Sequence, residues 1–177
     1  ETTDPAFGGA DEINGGDDAE YIFGGSDNDT IFGNSGDDVI LGDNGLADFA
    51  VDDDPDIDLI MVTDPEIGGT DTISGGEGDD IIIAGTQGDM VYGDQGDDRL
   101  FGDQAVLTYN SPPVHTLMSE FNTQANGNDT IFGDEGRDLA YGGAGIDIIH
   151  GGANNDILYG GSDADMIYGD QGDDHLY

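Results

Sequence analysis

The sequence contains no cysteine, so neither disulfides nor thiolate metal sites hold this chain together. Basic residues are almost as scarce: two Lys and Arg stand against 41 Asp and Glu, for a formal net charge of -39. Phosphate binding runs on Lys and Arg, which excludes nucleic acid as a partner. An anionic membrane surface is excluded for the same reason. No apolar run approaches membrane-spanning length, so no membrane insertion is expected, and no basic-then-apolar leader opens the chain at Glu1. The first residue is not Met and the last, Tyr177, falls on a repeat boundary, which predicts a piece of something longer or a processed subunit.

A charge this large repels any compact state. Either the chain is disordered, which its glycine and acid content would fit, or a cation is part of its folded form. The second reading is favoured because 35% of the residues are hydrophobic and they recur at a fixed spacing.

That spacing is nine. "GGAGIDIIH" at 142–150 is followed directly by "GGANNDILY" and "GGSDADMIY", each with Asp at its sixth place and an aliphatic residue at its eighth. The blocks tile three arrays without gaps, 6–41, 66–101 and 124–177. Their sixth-place acids are Asp11, Glu20, Asp29 and Asp38, then Asp71, Asp80, Asp89 and Asp98, then Asp129, Asp138, Asp147, Asp156, Asp165 and Asp174. The eighth place is apolar in every block, from Ile13 and Ile22 through Val91 and Ala140 to Leu176.

One inward side chain per block predicts a very short strand, because strand side chains alternate between faces. The Gly-rich half of each block must turn the chain tightly. Glycine at this density argues against a helix, at roughly 1 kcal/mol each relative to Ala. Two strands and two turns make a coil of eighteen residues, and coils stack in parallel at the ~4.8 Å spacing of sheet hydrogen bonds. The expected core is thin, one aliphatic residue from each side.

Stacking at eighteen residues sets Asp29 over Asp11, Asp38 over Glu20, Asp71 with Asp89 and Asp80 with Asp98. In the third array it builds the columns Asp129, Asp147, Asp165 and Asp138, Asp156, Asp174. Like charges so close repel unless a cation lies between them. Carboxylates plus carbonyls freed by the turns suit Ca²⁺, which takes 6–8 oxygen ligands, better than Mg²⁺ with its tight octahedron. All fourteen sixth-place acids are therefore candidate calcium ligands, for about eight or more ions, since same-array columns supply eight coil-to-coil pairs.

These blocks resemble the nonapeptide G-G-x-G-x-D-x-U-x of the RTX (repeats-in-toxin) family, a calcium-binding repeat. "GGEGDDIII" at 75–83 and "GGAGIDIIH" match every defined position. The resemblance implies an all-β, right-handed parallel β-roll, secretion by a type I exporter to the cell surface or medium, and folding on meeting calcium outside the cell. It also implies that each sixth-place carboxylate bridges ions above and below it. Departures fall at Glu20, longer than Asp, and at the fourth place, where Asp18, Asp27, Gln87, Asn154 and Asp163 replace Gly. Those turns are expected to be strained, with Gln87 the least comfortable.

The arrays, with the half-repeats "GDNG" (42–45) and "GDQA" (102–105), give roll segments 6–45, 66–105 and 124–177 of one continuous elongated domain. Between them lie two inserts, 46–65 and 106–123, each with two apolar runs around a break. Each insert reads as a β-hairpin projecting from the roll. In the first, "DDDPDID" offers Asp52, Asp54, Asp56 and Asp58 either as a further calcium site or as a solvated acidic turn. The ninth place is expected to point outward and is often aromatic: Phe23, Phe32, Tyr92, Phe101, Phe132, Tyr141, Tyr159, Tyr168 and Tyr177. Such a ladder either stabilises the sheets or forms a contact surface covered by the hairpins or another chain.

Catalysis finds little support. His115, His150 and His175 have no recognisable nucleophile nearby, the acid pairs are committed to metal, and no Lys follows a Gly loop. An ice-binding face would need a regular Thr–Asn file, which the third and fifth places lack. The expectation is a calcium-binding structural or adhesive module of an extracellular protein, able to associate with other chains end to end. The alternative is the C-terminal roll of a secreted protease, lipase or epimerase.

Overall fold

A computed structural model describes residues 8–48, 59–64, 66–110, 114–118 and 127–177. The "DDDPDID" acids lie outside these described residues. The described chain is all strand. One seven-stranded sheet is built in spatial order from β1 (Glu12–Gly16), β3 (Thr30–Ser35), β7 (Thr72–Glu77), β9 (Met90–Gln95), β13 (Thr130–Glu135), β15 (Ile148–Ala153) and β17 (Met166–Gln171). A second runs through β2 (Tyr21–Phe23), β4 (Val39–Leu41), β8 (Ile81–Gly85), β10 (Arg99–Asp103), β14 (Leu139–Ala144), β16 (Ile157–Ser162) and β18 (His175–Leu176). Every pairing in both is parallel, and the chain passes from one sheet to the other at each turn. This is the parallel β-roll expected from the repeat.

The eighth-place side chains form the predicted core. Ile31, Ile40, Ile73, Ile82, Val91, Leu100, Ile131, Ala140, Ile149 and Leu158 are fully buried between the sheets. Each large one contributes about 1.5–3 kcal/mol by leaving water. The turns need the left-handed region twice. Asp27, Gln87, Asn154 and Asp163 take it at the fourth place as expected, with φ of 73, 71, 80 and 78°. Asp18 does not. Asn34, Asp94, Asp134 and Asp170 take it at the second place, φ 63–80°, which the repeat pattern alone did not single out. Gln87 is anchored through its side-chain amide, which donates to the Gly68 carbonyl at 2.7 Å. At Gly96, φ is +141° and a Cβ would overlap the Gly78 carbonyl one coil below, so only glycine fits.

The inserts do more than project. β5 (Gly45–Asp48) pairs antiparallel with β6 (Leu59–Val62), and β11 (Val106–Asn110) with β12 (Val114–Met118). β6 also pairs with β11, so both hairpins merge into one four-stranded sheet, β12-β11-β6-β5. That sheet lies on the outer face of the second roll sheet. Ile60, Val62, Ala105 and Leu107 pack there with Val39, Leu41, Ile81, Ile83 and Phe101 in a second core. The ninth place points outward as expected, and at Leu41, Ile83 and Phe101 it is fully buried under this hairpin cover, one of the two roles expected for it. Uncovered, those side chains would form a continuous exposed apolar patch.

Candidate metal centre

Each sixth-place acid sits where a turn delivers the chain into a strand. Its own backbone N–H donates to Oδ1 of the sixth-place acid one coil on. In one column the donors run Asp11 to Asp29 (2.8 Å), Asp29 to Asp71 (2.8 Å), Asp71 to Asp89 (2.8 Å), Asp89 to Asp129 (2.8 Å), Asp129 to Asp147 (2.9 Å) and Asp147 to Asp165 (3.0 Å). In the other they run Glu20 to Asp38 (2.7 Å), Asp38 to Asp80 (2.8 Å), Asp80 to Asp98 (2.8 Å), Asp98 to Asp138 (2.9 Å), Asp138 to Asp156 (2.9 Å) and Asp156 to Asp174 (3.1 Å). All fourteen candidates therefore fall into two files.

Two features were not legible in the repeat. First, the files run through both inserts: the step between partners is 18 residues within an array, 42 across the first insert and 40 across the second. Second, neighbouring carboxylates do not simply face one another, because an amide of the preceding coil occupies one oxygen of each. The other oxygen is left over. Oδ2 of Asp29, Asp38, Asp71, Asp80, Asp89, Asp98, Asp129, Asp138, Asp147 and Asp156, and Oε2 of Glu20, are buried and have no hydrogen-bond partner.

A buried oxygen without a donor or a cation costs about 1–3 kcal/mol or more when charged. Burial accordingly pushes the carboxyl groups of the ten aspartates up, against the opposing pull of the accepted amide. Asp89 reaches about 10, with the charges of Asp129 and Asp71 adding to burial. Asp98 and Asp129 reach about 8, Asp71, Asp80 and Asp138 about 7, and Asp147 and Asp156 about 6, burial leading in each case. Without a counter-ion the files cannot all carry charge at neutral pH.

The donor set fits a hard cation. Among the described residues no three acidic or histidine side chains converge on one point, so a side-chain cage is absent there. Main-chain oxygen is close instead. The free Oδ2 of Asp80 and the Gly93 carbonyl of the next coil border the same Gly75 Cα, and Asp147 Oδ2 and the Gly160 carbonyl border Gly142 in the same way. A side chain at either glycine would collide with both oxygens. One carboxylate oxygen per coil plus carbonyls, with no nitrogen or sulfur, is chemistry for Ca²⁺ rather than for a transition metal.

Two further buried acids escaped the repeat pattern. Asp43 and Asp103, in the half-repeats, hold the necks of the inserts. Asp43 accepts from the Gly69 N–H at 2.9 Å, the Thr86 N–H at 2.7 Å and the Thr86 hydroxyl at 2.9 Å. Asp103 accepts from the Ala144 N–H at 2.6 Å and the Gly127 N–H at 3.3 Å. Both oxygens of each are satisfied by the protein, which separates these acids from the files. Their signal in the sequence was the second-place Asp shared by "GDNG" and "GDQA", each just before an insert.

The histidines build no catalytic group among the described residues. His150 is stacked between Phe132 and Tyr168, at 5.3 and 4.6 Å between ring centroids, with Nδ1 2.9 Å from Asp170 Oδ2. His175 is exposed in β18. No described helix is long and apolar enough to cross a membrane.

Comparison with known proteins agrees with this geometry. No curated protein matches the chain. A family model of the RTX calcium-binding nonapeptide repeat, four copies long, matches residues 8–30, 14–45, 67–100, 125–149 and 141–176, together more than half of the sequence. Repeat period, parallel coils and files of buried carboxylates lead to one assignment: the chain belongs to the RTX calcium-binding nonapeptide repeat family.

Proposed function

We propose that this chain is a structural or adhesive calcium-loaded module of an extracellular protein, which folds on binding calcium after export. The supporting observation is the double file of buried, unpartnered Oδ2 atoms. In this reading all fourteen sixth-place acids are ligands, joined by turn carbonyls, and consecutive coils share each ion. Bound calcium supplies the positive charge that lets the carboxylates stay ionised while buried; the chain supplies the oxygens and the spacing.

Association with other chains follows the same logic. Asp165 and Asp174 end their files in this chain, and Asp11 and Glu20 begin them, so a second copy could extend both by the same amide-to-carboxylate step. Such head-to-tail contacts do not close on themselves.

The test is calcium titration of the chain at neutral pH, followed by far-UV circular dichroism and sedimentation. In excess EGTA the β spectrum should be lost, because metal binding here is folding free energy. A β spectrum unchanged by EGTA overturns the calcium reading. A calcium-loaded chain that stays monomeric at high concentration overturns the end-to-end part alone.

A further inference from the structure

The four-stranded cover stops short of one end of the roll. On the outer face of the second sheet, Phe101 lies buried beneath it, and the ninth-place column continues past its edge as Tyr141, Tyr159 and Tyr177. The four rings form one stack. Phe101 to Tyr141 is 5.4 Å between centroids, Tyr141 to Tyr159 is 4.6 Å and Tyr159 to Tyr177 is 4.7 Å, with interplanar angles of 4, 4 and 13°. Tyr141 is half-buried against the second core, while Tyr177 is 66% exposed.

Beside the three tyrosines runs a cavity of about 460 Å³. Gly143 and Gly161 form its floor, one from each of two successive coils, both at positive φ (120 and 109°) where a side chain is disfavoured. Ala144 and Ser162 form the far lip. The result is a trough parallel to the stacking axis, walled by aromatic rings, floored by bare backbone and, among the described residues, lined by no charged side chain. Its size is that of a small-molecule site.

The charge around the trough is one-signed. Asp103, beside Gly143 in the preceding coil, accepts the Ala144 N–H, and Asp163 follows Ser162 in the same turn. The two basic side chains, Arg99 and Arg137, line a different cavity with Asp97 and Asn155. A net charge of -39 concentrates cations at every surface of this molecule. The stacked tyrosines turn their ring edges to the trough, so they offer apolar contact while the attraction for a cation comes from the surrounding carboxylates.

We infer that the Tyr141–Tyr159–Tyr177 trough is a binding site for flat, elongated aromatic cations. A planar ligand lies along the trough across successive coils, in contact with the tyrosine rings and over the two glycines. Its positive charge answers the surrounding acids. An anionic ligand of the same shape is repelled. The site depends on the folded roll but not on which carboxylates hold calcium.

The first roll sheet provides an internal control. Its ladder, Tyr92, Phe132, His150 and Tyr168, stacks equally well, at 5.2 to 5.3 Å for the first two steps and 4.6 Å for the last. The adjoining cavity there is lined by Asp134, Glu135 and Asp170 and offers no apolar trough.

The experiment is fluorescence titration of the calcium-loaded chain with thioflavin T, a planar aromatic cation, at concentrations where sedimentation finds no aggregate. Saturable binding is expected at one site per chain, weakening as salt is raised. Tyr159→Leu keeps an apolar strand residue but removes the ring, and should weaken binding at least tenfold; Tyr159→Phe should retain it. Tyr168→Leu, on the opposite sheet, should bind like the parent. The anionic naphthalene sulfonate ANS should bind at least tenfold more weakly than thioflavin T. Circular dichroism of each variant in calcium separates loss of the site from loss of the fold. Equal binding by Tyr159→Leu and the parent, with both folded, overturns the proposal, as does equal affinity for the two dyes.

Discussion

At the scale of single residues, position within a file decides what an acid is worth. Asp147 is fully buried, accepts the Asp129 amide and donates its own amide to Asp165. Asp174 accepts the Asp156 amide at 3.1 Å but closes its file and is only half-buried. Each Ala variant orphans one amide of the preceding coil (about 1–3 kcal/mol), but Asp147 would also serve two coil steps where Asp174 serves one, so Asp147→Ala should raise the calcium midpoint of folding by several-fold more than Asp174→Ala. Asp147→Asn keeps the amide acceptor and loses only the charge, so its midpoint should fall between the parent and Asp147→Ala. Equal midpoints for the Asp147→Ala and Asp174→Ala variants would contradict the file. The identities of these acids were legible because a nine-residue period is short enough to read directly. The division of labour between Oδ1 and Oδ2 was not, since it depends on where the neighbouring coil's amide arrives.

At the scale of elements, the roll sheets follow from local pattern and the hairpin sheet does not. One apolar residue per block tells which side of each short strand faces inward. By contrast, the pairing of β6 with β11 joins segments far apart in sequence, and nothing within either insert specifies it. The same gap explains why the period places Leu41, Ile83 and Phe101 outward without fixing which strands cover them: their cover comes from elsewhere. Ile60, fully buried in that cover, tests the second core. Ile60→Ala should cost about 2–5 kcal/mol locally. Hydrogen exchange should then quicken at the amides of β5, β6 and β11 while β13, β15 and β17 keep their protection. Uniform exchange across all of these strands would mean that cover and roll unfold as one unit.

At the scale of the whole molecule, the raised acids make folding depend on pH in a direction opposite to ordinary acid denaturation. A carboxyl whose folded value lies above its unfolded 3.8 favours the folded state fully below about pH 4. That contribution is lost as pH rises through the folded values, here from about 6 at Asp147 and Asp156 to about 10 at Asp89. The metal-free chain should accordingly gain β structure when acidified from pH 8 to pH 4, and calcium should remove the need for acid. Circular dichroism in EGTA at the two pH values checks this; a metal-free spectrum with less β structure at pH 4 than at pH 8 would refute it. The overall charge was readable from composition alone, yet its consequence for pH required knowing which acids are buried. Asp43 and Asp103 carry one more consequence. Because they cinch each departing loop at its base, and the coils on either side remain in step despite detours of different length, the roll has two built-in graft ports. A foreign peptide whose ends meet at sheet spacing could be spliced between Asp48 and Leu59, the outermost described pair of the first hairpin, and displayed from the roll without uncovering the second core or resetting the period beneath it.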